Sequence, residues 1–368
     1  MDSHTAFCPS ADCAATGQSG QGNIVVHSRQ HQRYQCRECG RTFTATKGTP
    51  FYRLHHEQEL VVRVVTLLAH GCPVQAIVAA FGLDERTIAD WHQRAAAQCQ
   101  QVQQHLVQQP RDLTEVQADE LRVKRQGAIV WIALAMHTAT RLWLGGTVSE
   151  HRDRWLITRL ITQVRRCAVC LPLLLVTDGF AAYATALRKV FRDPVERMGR
   201  GRRRLQTWAG LCYGQVIKRY EQRRVVAVER RIKYGDAEQV EVLRHKSGDS
   251  GGVLNTAFIE RLNATFRGRL TALVRRTRTL ARRTATIEHG MWLVGTLYNF
   301  CTPHESLRVR GGENRWAART PAMAAGITDH CWSVKELLWY RVPPPRWRPP
   351  RKRGRMSPAM KLKVARWC

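Results

Sequence analysis

The order of apolar runs between residues 115 and 191 constrains the fold of this chain more than any other feature. "EVQADELRV" alternates as a half-buried strand does, "AIVWIALAM" is continuously apolar like a central strand, and "RLWLGGTV" follows closely enough to favour an antiparallel meander. "HRDRWLITRLITQV" has apolar residues at helical spacing, "LPLLLVTDG" has the character of a buried strand, and "FAAYATALRKVF" that of a helix. These elements predict an α/β fold with a mixed β-sheet flanked by helices.

The charge of the chain indicates a polyanionic partner. Its 368 residues carry a formal net charge of +30, and the isoelectric point is about 10.7. This balance favours nucleic acid, although a ribosomal or packaging protein would share it. The longest apolar run has ten residues and begins at Gly127, and the N-terminus shows no signal-peptide pattern. We therefore expect a cytoplasmic protein whose twelve cysteines are metal ligands or core residues.

Two cysteine pairs predict a zinc-binding finger over residues 1–55. Four thiolates in two pairs suit a tetrahedral Zn²⁺ ion, and a segment this short has little core without one. The predicted ligands are Cys8, Cys13, Cys36 and Cys39. The first pair is loosely spaced, so a histidine is an alternative to Cys13, the candidates being His4, His27 and His31. Cys167 and Cys170 form another close pair without a second pair nearby, and we interpret them as core residues.

Residues 56–110 predict a helix-turn-helix domain. Three helical segments follow one another, "EQELVVRVVTLLAHG", "PVQAIVAAFG" and "LDERTIADWHQRA", with Gly82 at the turn and Asp84 as the cap of the third helix. The third would be the recognition helix in the major groove, and a plain three-helix bundle is the alternative. Its candidate DNA contacts are Arg86, Thr87, Asp90 and Gln93.

Three acids are candidate metal ligands. Asp119 lies in the first predicted strand, and Asp178 ends the fourth, where ligands gather in open α/β sheets. Glu260 is the single acid among eight arginines in residues 254–283, and its own helix offers it no basic partner three or four residues away. Alone, Asp178 is typical of a helix cap, and Glu120 on the other face of the strand is a rival to Asp119. Together the three carboxylates could hold two Mg²⁺ (or Mn²⁺) ions about 3.5–4 Å apart for phosphoryl transfer.

Four sequence blocks carry a family resemblance: "QADEL", "VTDGFAAY", "FIERLNATFRGRL" with the following "RRTRTLARR", and "LYNFCTPHESL". On these blocks the chain resembles a bacterial insertion-sequence transposase of the DDE class, with the ribonuclease H-like core shared with retroviral integrases. It is most similar to small insertion elements whose transposase joins a zinc finger, a helix-turn-helix and this core. The resemblance covers about residues 8–320, with Cys301 and Thr302 as a minor departure.

The resemblance implies a ribonuclease H-like catalytic core over residues 113–310. Asp119, Asp178 and Glu260 match the family's D, D and E positions, and they would hold Mg²⁺ (or Mn²⁺). Basic and polar residues of the later helix would contact DNA or position the helix, namely Asn263, Arg267, Arg275 and Arg276. The implied activity is recognition of terminal inverted repeats, followed by Mg²⁺-dependent DNA cleavage and strand transfer. The implied partners are double-stranded DNA and a second copy in a homodimer or larger assembly, in the nucleoid of a bacterial cell.

Two basic segments complete the organisation. Residues 194–250 predict a β-hairpin or meander inserted into the core. The tail, residues 342–368, is rich in proline and arginine, and we expect it to form no core and to contact phosphates, with a merely solubilising role as the alternative.

Two other functions stay open for the chain as a whole. A non-enzymatic DNA-binding regulator would not need the three acids, and a nuclease of the same fold would cleave without joining.

Overall fold

The computed structural model describes residues 2–169, 172–195, 201–222, 224–248, 252–274, 280–311, 316–349 and 356–368. The chain divides into two compact units, one of Met1–Leu60 with Leu338–Cys368 and one of Val61–Leu337. The strands are β1 (Ile24–Ser28), β2 (Arg33–Cys36), β3 (Thr42–Thr44), β4 (Glu115–Arg125), β5 (Ala128–His137), β6 (Leu142–Ser149), β7 (Leu173–Thr177), β8 (Arg192–Pro194), β9 (Leu205–Thr207), β10 (Leu211–Glu221), β11 (Arg224–Tyr234), β12 (Val309–Arg310) and β13 (Trp316–Ala317).

The helices are α1 (Gln58–Ala69), α2 (Val74–Phe81), α3 (Glu85–Val102), α4 (Arg154–Cys167), α5 (Ala181–Val190), α6 (Ala237–Lys246), α7 (Ala257–Arg269), α8 (Thr284–Phe300), α9 (Pro321–Ala324), α10 (Val334–Trp339) and α11 (Pro358–Trp367). A π-helical turn, Gln103–Val107, continues α3, and two 3₁₀ turns span Thr271–Leu273 and Glu305–Leu307. Within the residues that the structure describes, no helix is both long and apolar enough to cross a membrane.

The larger unit is built on a six-stranded mixed sheet with the order β11-β10-β7-β4-β5-β6. β4, β5 and β6 pair antiparallel, β7 runs parallel to β4, and β10 runs parallel to β7. The meander, the helix α4, the parallel strand β7 and the helix α5 confirm the elements predicted from residues 115–191. Val130 and the residues of β5 from Ile132 onward are buried because helices flank this central part of the sheet, whereas Ile129 near its start is exposed.

Helices cover the sheet through the apolar faces that their spacing predicts. α4 begins at the cap Asp153, whose carboxylate accepts a hydrogen bond from the Leu156 amide at 2.9 Å, and it packs on α5 and β6. α8 is buried almost all round because it lies between β6 and α3. Buried side chains fix this packing: Thr296 donates to the Cys99 carbonyl at 3.2 Å, and Asn299 accepts from the Trp143 amide at 2.9 Å.

The basic hairpin between residues 194 and 250 is only partly an insertion, which corrects the sequence-based expectation. β10 and β11 do form a hairpin, but β10 also pairs with β7 over Leu211–Gln215 and thereby extends the sheet. The first six residues of β10 are buried, whereas its basic end is exposed. β10 thus has a buried first half that belongs to the core sheet and an exposed, basic second half. The basic residues of the second half led us to assign the whole strand to an insertion.

The smaller unit holds the cysteine-bearing segment. β1, β2 and β3 form an antiparallel sheet, and three of the predicted zinc ligands are buried in its core with Ile24, Tyr34 and Phe43. Trp367 lies in the same core, 3% exposed, and Trp347 packs against it. The expectation that the tail forms no core was therefore wrong. Proline and arginine dominate its composition, but its tryptophans supply the apolar surface that the small finger lacks.

Candidate functional site

Asp119 and Asp178 are brought together by the register of two parallel strands. Gln117 of β4 lies opposite Val176 of β7. Asp119 and Asp178 each follow two residues later in the same direction, so they lie side by side. One carboxylate oxygen from each of Asp119, Glu120 and Asp178 lies within 4.8 Å of the other two. Oxygen ligands in such a group are those that Mg²⁺ and Mn²⁺ prefer, and this acidic group could therefore hold a metal ion.

Asp119 is held in place from two sides. Its Oδ1 atom accepts a hydrogen bond from the Glu120 amide at 2.8 Å, and its Oδ2 atom accepts one from Asn263 Nδ2 at 2.7 Å. Burial raises the pKa of Asp119 to about 6, and the nearby carboxylates of Asp178 and Glu260 contribute to the rise. A bound cation would offset both effects, so this environment fits a metal ligand.

Asp178 has the capping contact expected of an isolated acid as well as a place in the acidic group. Its Oδ1 atom accepts from the Phe180 amide at 2.9 Å, just before α5 begins. Its Oδ2 atom accepts from Arg152 at 3.0 Å, and its side chain is 41% exposed. One oxygen thus fixes the turn before α5, while the other is bound by Arg152.

Glu120, the rival to Asp119, is bound by an arginine. Its side chain is 1% exposed, and its Oε2 atom accepts from Arg152 Nε at 2.9 Å. Burial, together with the negative charge of Asp178, raises the pKa of Glu120 to about 7, although the contacts with Tyr183 and Arg152 act in the opposite direction. Glu120 and Asp178 therefore share one arginine, whose guanidinium also lies 4.3 Å from the ring centroid of Phe180.

Glu260 lies outside the group of three acids that are within 4.8 Å of one another. Its Oε1 atom accepts hydrogen bonds from Lys218 of β10 and from Thr256 at the start of α7, the latter at 2.6 Å. As expected, its ion pair comes from outside its own helix, while the neutral hydroxyl of Thr256, at the cap of α7, also donates to it. Burial raises its pKa, but the contacts with Lys218 and Thr256 lower the pKa overall. The structure leaves its role as a metal ligand a prediction.

The side chains that share the face of Glu260 on α7 differ in their surroundings. Asn263 is 1% exposed and donates to Asp119, which favours a positioning role over a contact with DNA. Arg267 is exposed, and its charge lowers the pKa of both Asp119 and Glu260. Arg275 and Arg276, two further predicted DNA contacts, lie outside the described residues.

Three residues that sequence reasoning missed organise the site: Gln117, Arg152 and Lys218. Gln117 is fully buried in β4, and its Oε1 atom accepts from the amides of Phe258 and Ile259 at 3.1 Å. It thereby ties the start of α7 to the strand that carries Asp119. The available signal was its spacing, two residues before Asp119 on the same face of the strand.

The predicted helix-turn-helix segments form helices. Gly82 closes α2 with a φ of 63°, and the Asp84 carboxylate accepts from the Arg86 amide at 2.8 Å at the start of α3. Arg86 and Gln93 are exposed and Thr87 is half-buried, while Ile88 and Trp91 face the core. Asp90 pairs with Arg94 at 2.7 Å. The proposed contact residues are accessible, and their role in binding DNA stays a prediction.

The four N-terminal cysteines converge as predicted. All four Sγ atoms lie within 4.8 Å of one another, and the Cys8–Cys39 and Cys13–Cys36 distances are both 3.8 Å. Thiolates bound about 2.3 Å from a tetrahedral ion would be separated by about this distance, so the group fits Zn²⁺. Cys167 is buried as expected of a core residue, and Cys170 lies outside the described residues.

Comparison with known protein families and with curated proteins finds no match to this chain.

Proposed function

We propose that this protein is a DNA transposase of the DDE class, with Asp119, Asp178 and Glu260 as its catalytic acids. The observation that carries the proposal is the pairing of Asp119 with Asp178 on adjacent strands, beside a helix whose Asn263 bonds directly to Asp119. Isolated acidic clusters are common on protein surfaces. This one is partly buried, belongs to a chain with a net charge of +30, and matches the sequence blocks that resemble transposases.

We further assign a ribonuclease H-like fold to the larger unit. Support comes from the antiparallel meander β4–β6, the crossover helix α4 and the parallel strand β7 that leads into Asp178. The helix α7, which carries Glu260, packs on β4 and β5. The apolar runs of residues 115–191 predict the meander, the crossover helix and the parallel strand in this order, and the resemblance implies the fold that contains them.

Divalent ions bound to these carboxylates would stabilise the attacking and leaving oxygens of an in-line displacement at phosphorus. The protein's own groups prepare the site for this chemistry. Asn263 holds one oxygen of Asp119, the Phe180 amide holds one oxygen of Asp178, and Gln117 fixes the helix that carries Glu260. Glu260 would hold a metal ion in place of its present contact with Lys218, and Lys218 would then be available to a phosphate.

We assign end recognition to the helix-turn-helix and to the finger. The exposed face of α3, with Arg86 and Gln93, has the size and polarity to enter a major groove. Zn²⁺ would serve as a structural ion in the finger. Strand transfer joins two element ends, so the proposal includes a homodimer or larger assembly on double-stranded DNA.

A joining reaction tests the proposal. Full-length protein is incubated with DNA that bears the element's terminal inverted repeats, a target plasmid and Mg²⁺, and joined products are counted. Asp178→Asn and Glu260→Gln should each lower joining by at least about a hundredfold, whereas Glu238→Gln, an exposed acid in α6, should not. Wild-type joining by either site variant would refute the assignment of that acid.

The same assay separates the alternatives. Cleavage of the ends without joining would identify a nuclease. Tight end binding with neither cleavage nor joining in the wild-type protein would identify a DNA-binding regulator.

A further inference from the structure

Charge is divided very unevenly within the smaller unit. The N-terminal part, residues 1–60, carries six Lys/Arg and five Asp/Glu, so its net charge is close to zero. Segment 338–368 carries ten Lys/Arg and no acid. A finger that binds a polyanion through its own surface would be expected to be basic itself. In this unit almost all the net positive charge comes from the other end of the chain.

The segment is docked on the finger by an apolar helix face. Met360, Val364 and Trp367 occupy positions i, i+4 and i+7 of α11 and are the least exposed residues of this helix. Trp367 lies in the core that contains Cys8, Cys13 and Cys36. The contact is also polar, because Gln18 Nε2 donates to the Trp367 carbonyl at 2.9 Å.

The chain before α11 follows the finger as well. A Cβ atom built on Gly17, which has a φ of 68°, would lie 2.5 Å from the Pro344 carbonyl oxygen, so the two backbones are in close contact. The guanidinium of Arg341 lies 5.2 Å from the ring centroid of Phe7. Several independent contacts therefore hold the segment to the finger.

The docked helix presents cations to solvent. Lys361, Lys363 and Arg366 are exposed on α11, and Lys363 lies 3.7 Å from Glu38 of the finger. Trp367 is buried in the finger core and Met360 and Val364 are half-buried, so the accessible part of α11 holds three cations and one large apolar side chain, Leu362, which is 73% exposed. This arrangement suits a row of phosphates better than a lipid bilayer, which would require a free apolar face.

We propose that the cysteine finger and the described parts of the C-terminal segment, residues 338–349 and 356–368, form one nucleic-acid-binding module, in which the finger is the scaffold and the segment supplies the cations for the phosphate backbone of duplex DNA. This inference does not rest on the transposase proposal, since binding is measured without Mg²⁺ and without any reaction.

The test compares two triple variants of the full-length, zinc-loaded protein. Lys361→Gln/Lys363→Gln/Arg366→Gln removes the cations of α11. Arg29→Gln/Arg37→Gln/Lys47→Gln removes three exposed cations of the finger and changes the net charge equally. The measured quantity is the affinity for a short duplex of arbitrary sequence as a function of salt concentration in Mg²⁺-free buffer. Zinc content of each variant is measured as a check on folding.

In the α11 variant, the magnitude of the slope of log affinity against log salt concentration should fall by about 2 to 3. Each phosphate contact contributes about 0.9 to this slope, and the variant removes three cations. The finger variant should lose less than about 1. Equal losses in the two variants, or an unchanged slope in the α11 variant, would overturn the proposal. So would loss of binding to phosphatidylserine vesicles by the α11 variant with unchanged DNA binding, which would identify a membrane surface as the partner.

Docking is tested separately with Trp367→Ala and Trp367→Phe. The alanine variant should lower duplex affinity and speed zinc release to a chelator, while phenylalanine should restore most of both. If alanine leaves both unchanged, the segment is not part of the module.

Discussion

Replacing Arg152 by alanine should destabilise the larger unit while strengthening metal binding to it. Arg152 is the group that Glu120 and Asp178 share. Its removal leaves Glu120 without its cationic partner and frees Asp178 from a competing positive charge. Few surface arginines would give two effects of opposite sign.

The magnitudes follow from the exposure of the partners. Breaking a fully buried ion pair costs about 3–5 kcal/mol. Arg152 is 35% exposed, so we expect a smaller loss of unfolding free energy, about 1–2 kcal/mol. Glu120, with its pKa near 7, would take up a proton and limit the cost. The pair with Asp178 is exposed and contributes about 0.5–1 kcal/mol, so Mg²⁺ should bind about two- to fivefold more tightly.

Two measurements on each variant check this prediction: urea unfolding without metal and calorimetric titration with Mg²⁺. Arg154→Ala is the matched control, since it removes the same charge from an exposed position two residues away. If the two variants change Mg²⁺ affinity equally, Arg152 acts only through net charge and the described pairing with Asp178 has no energetic effect. An unchanged unfolding free energy in Arg152→Ala would refute the role assigned to its contact with Glu120.

Three further predictions concern other parts of the molecule. Cys36→Ser should lower bound zinc well below about one ion per chain in a metal analysis, while Cys331→Ser, at an exposed position, should leave it unchanged. Asn263→Ala should lower Mg²⁺ affinity or end cleavage about 10- to 100-fold by freeing Asp119, and an effect no larger than that of Thr265→Ala would contradict this role. Burial and the nearby arginines lower the pKa of His137 to about 4 from its usual 6.5, so the fold favours its neutral form. The resulting contribution of His137 to the free energy of unfolding, up to about 3 kcal/mol, should be present above pH 6.5 and be lost as the pH falls towards 4. The free energy of unfolding of His137→Asn should therefore depend less on pH than that of His151→Asn.

The sequence predicted the parts of the site that depend on local patterns. Asp119 and Asp178 could be assigned to strands of one sheet because buried strands and the helices between them are visible as apolar runs. Asp178 ends its strand, where ligands gather in open α/β sheets, whereas Asp119 lies within β4. The turn at Gly82 and the cap Asp84 were predictable because such residue preferences are local. The cysteine group was predictable because the number and spacing of metal ligands are tightly restricted.

Contacts between distant segments could not be predicted in the same way. Glu260 pairs with Lys218, which lies in a hairpin 42 residues earlier in the chain. Helical spacing predicts only pairs three or four residues apart, so it could not reveal this contact. Arg152 was one of many arginines, and only the folded sheet shows that it lies between two acids. In the tail, the proline and arginine content led us to expect no core, although Met360, Val364 and Trp367 already lay at helical spacing. The amino-acid composition of the tail was therefore a poorer guide to its structure than the spacing of its apolar residues.

End cleavage by Asp178→Cys in Mg²⁺ and in Mn²⁺ tests the central claim most directly. A thiolate is a poor ligand for Mg²⁺ and a better one for Mn²⁺. If Asp178 binds a catalytic metal, the variant should be inactive with Mg²⁺ and regain part of the cleavage with Mn²⁺, while the wild-type protein is active with both. A variant that is equally active, or equally inactive, with the two metals would contradict the assignment of Asp178 as a metal ligand.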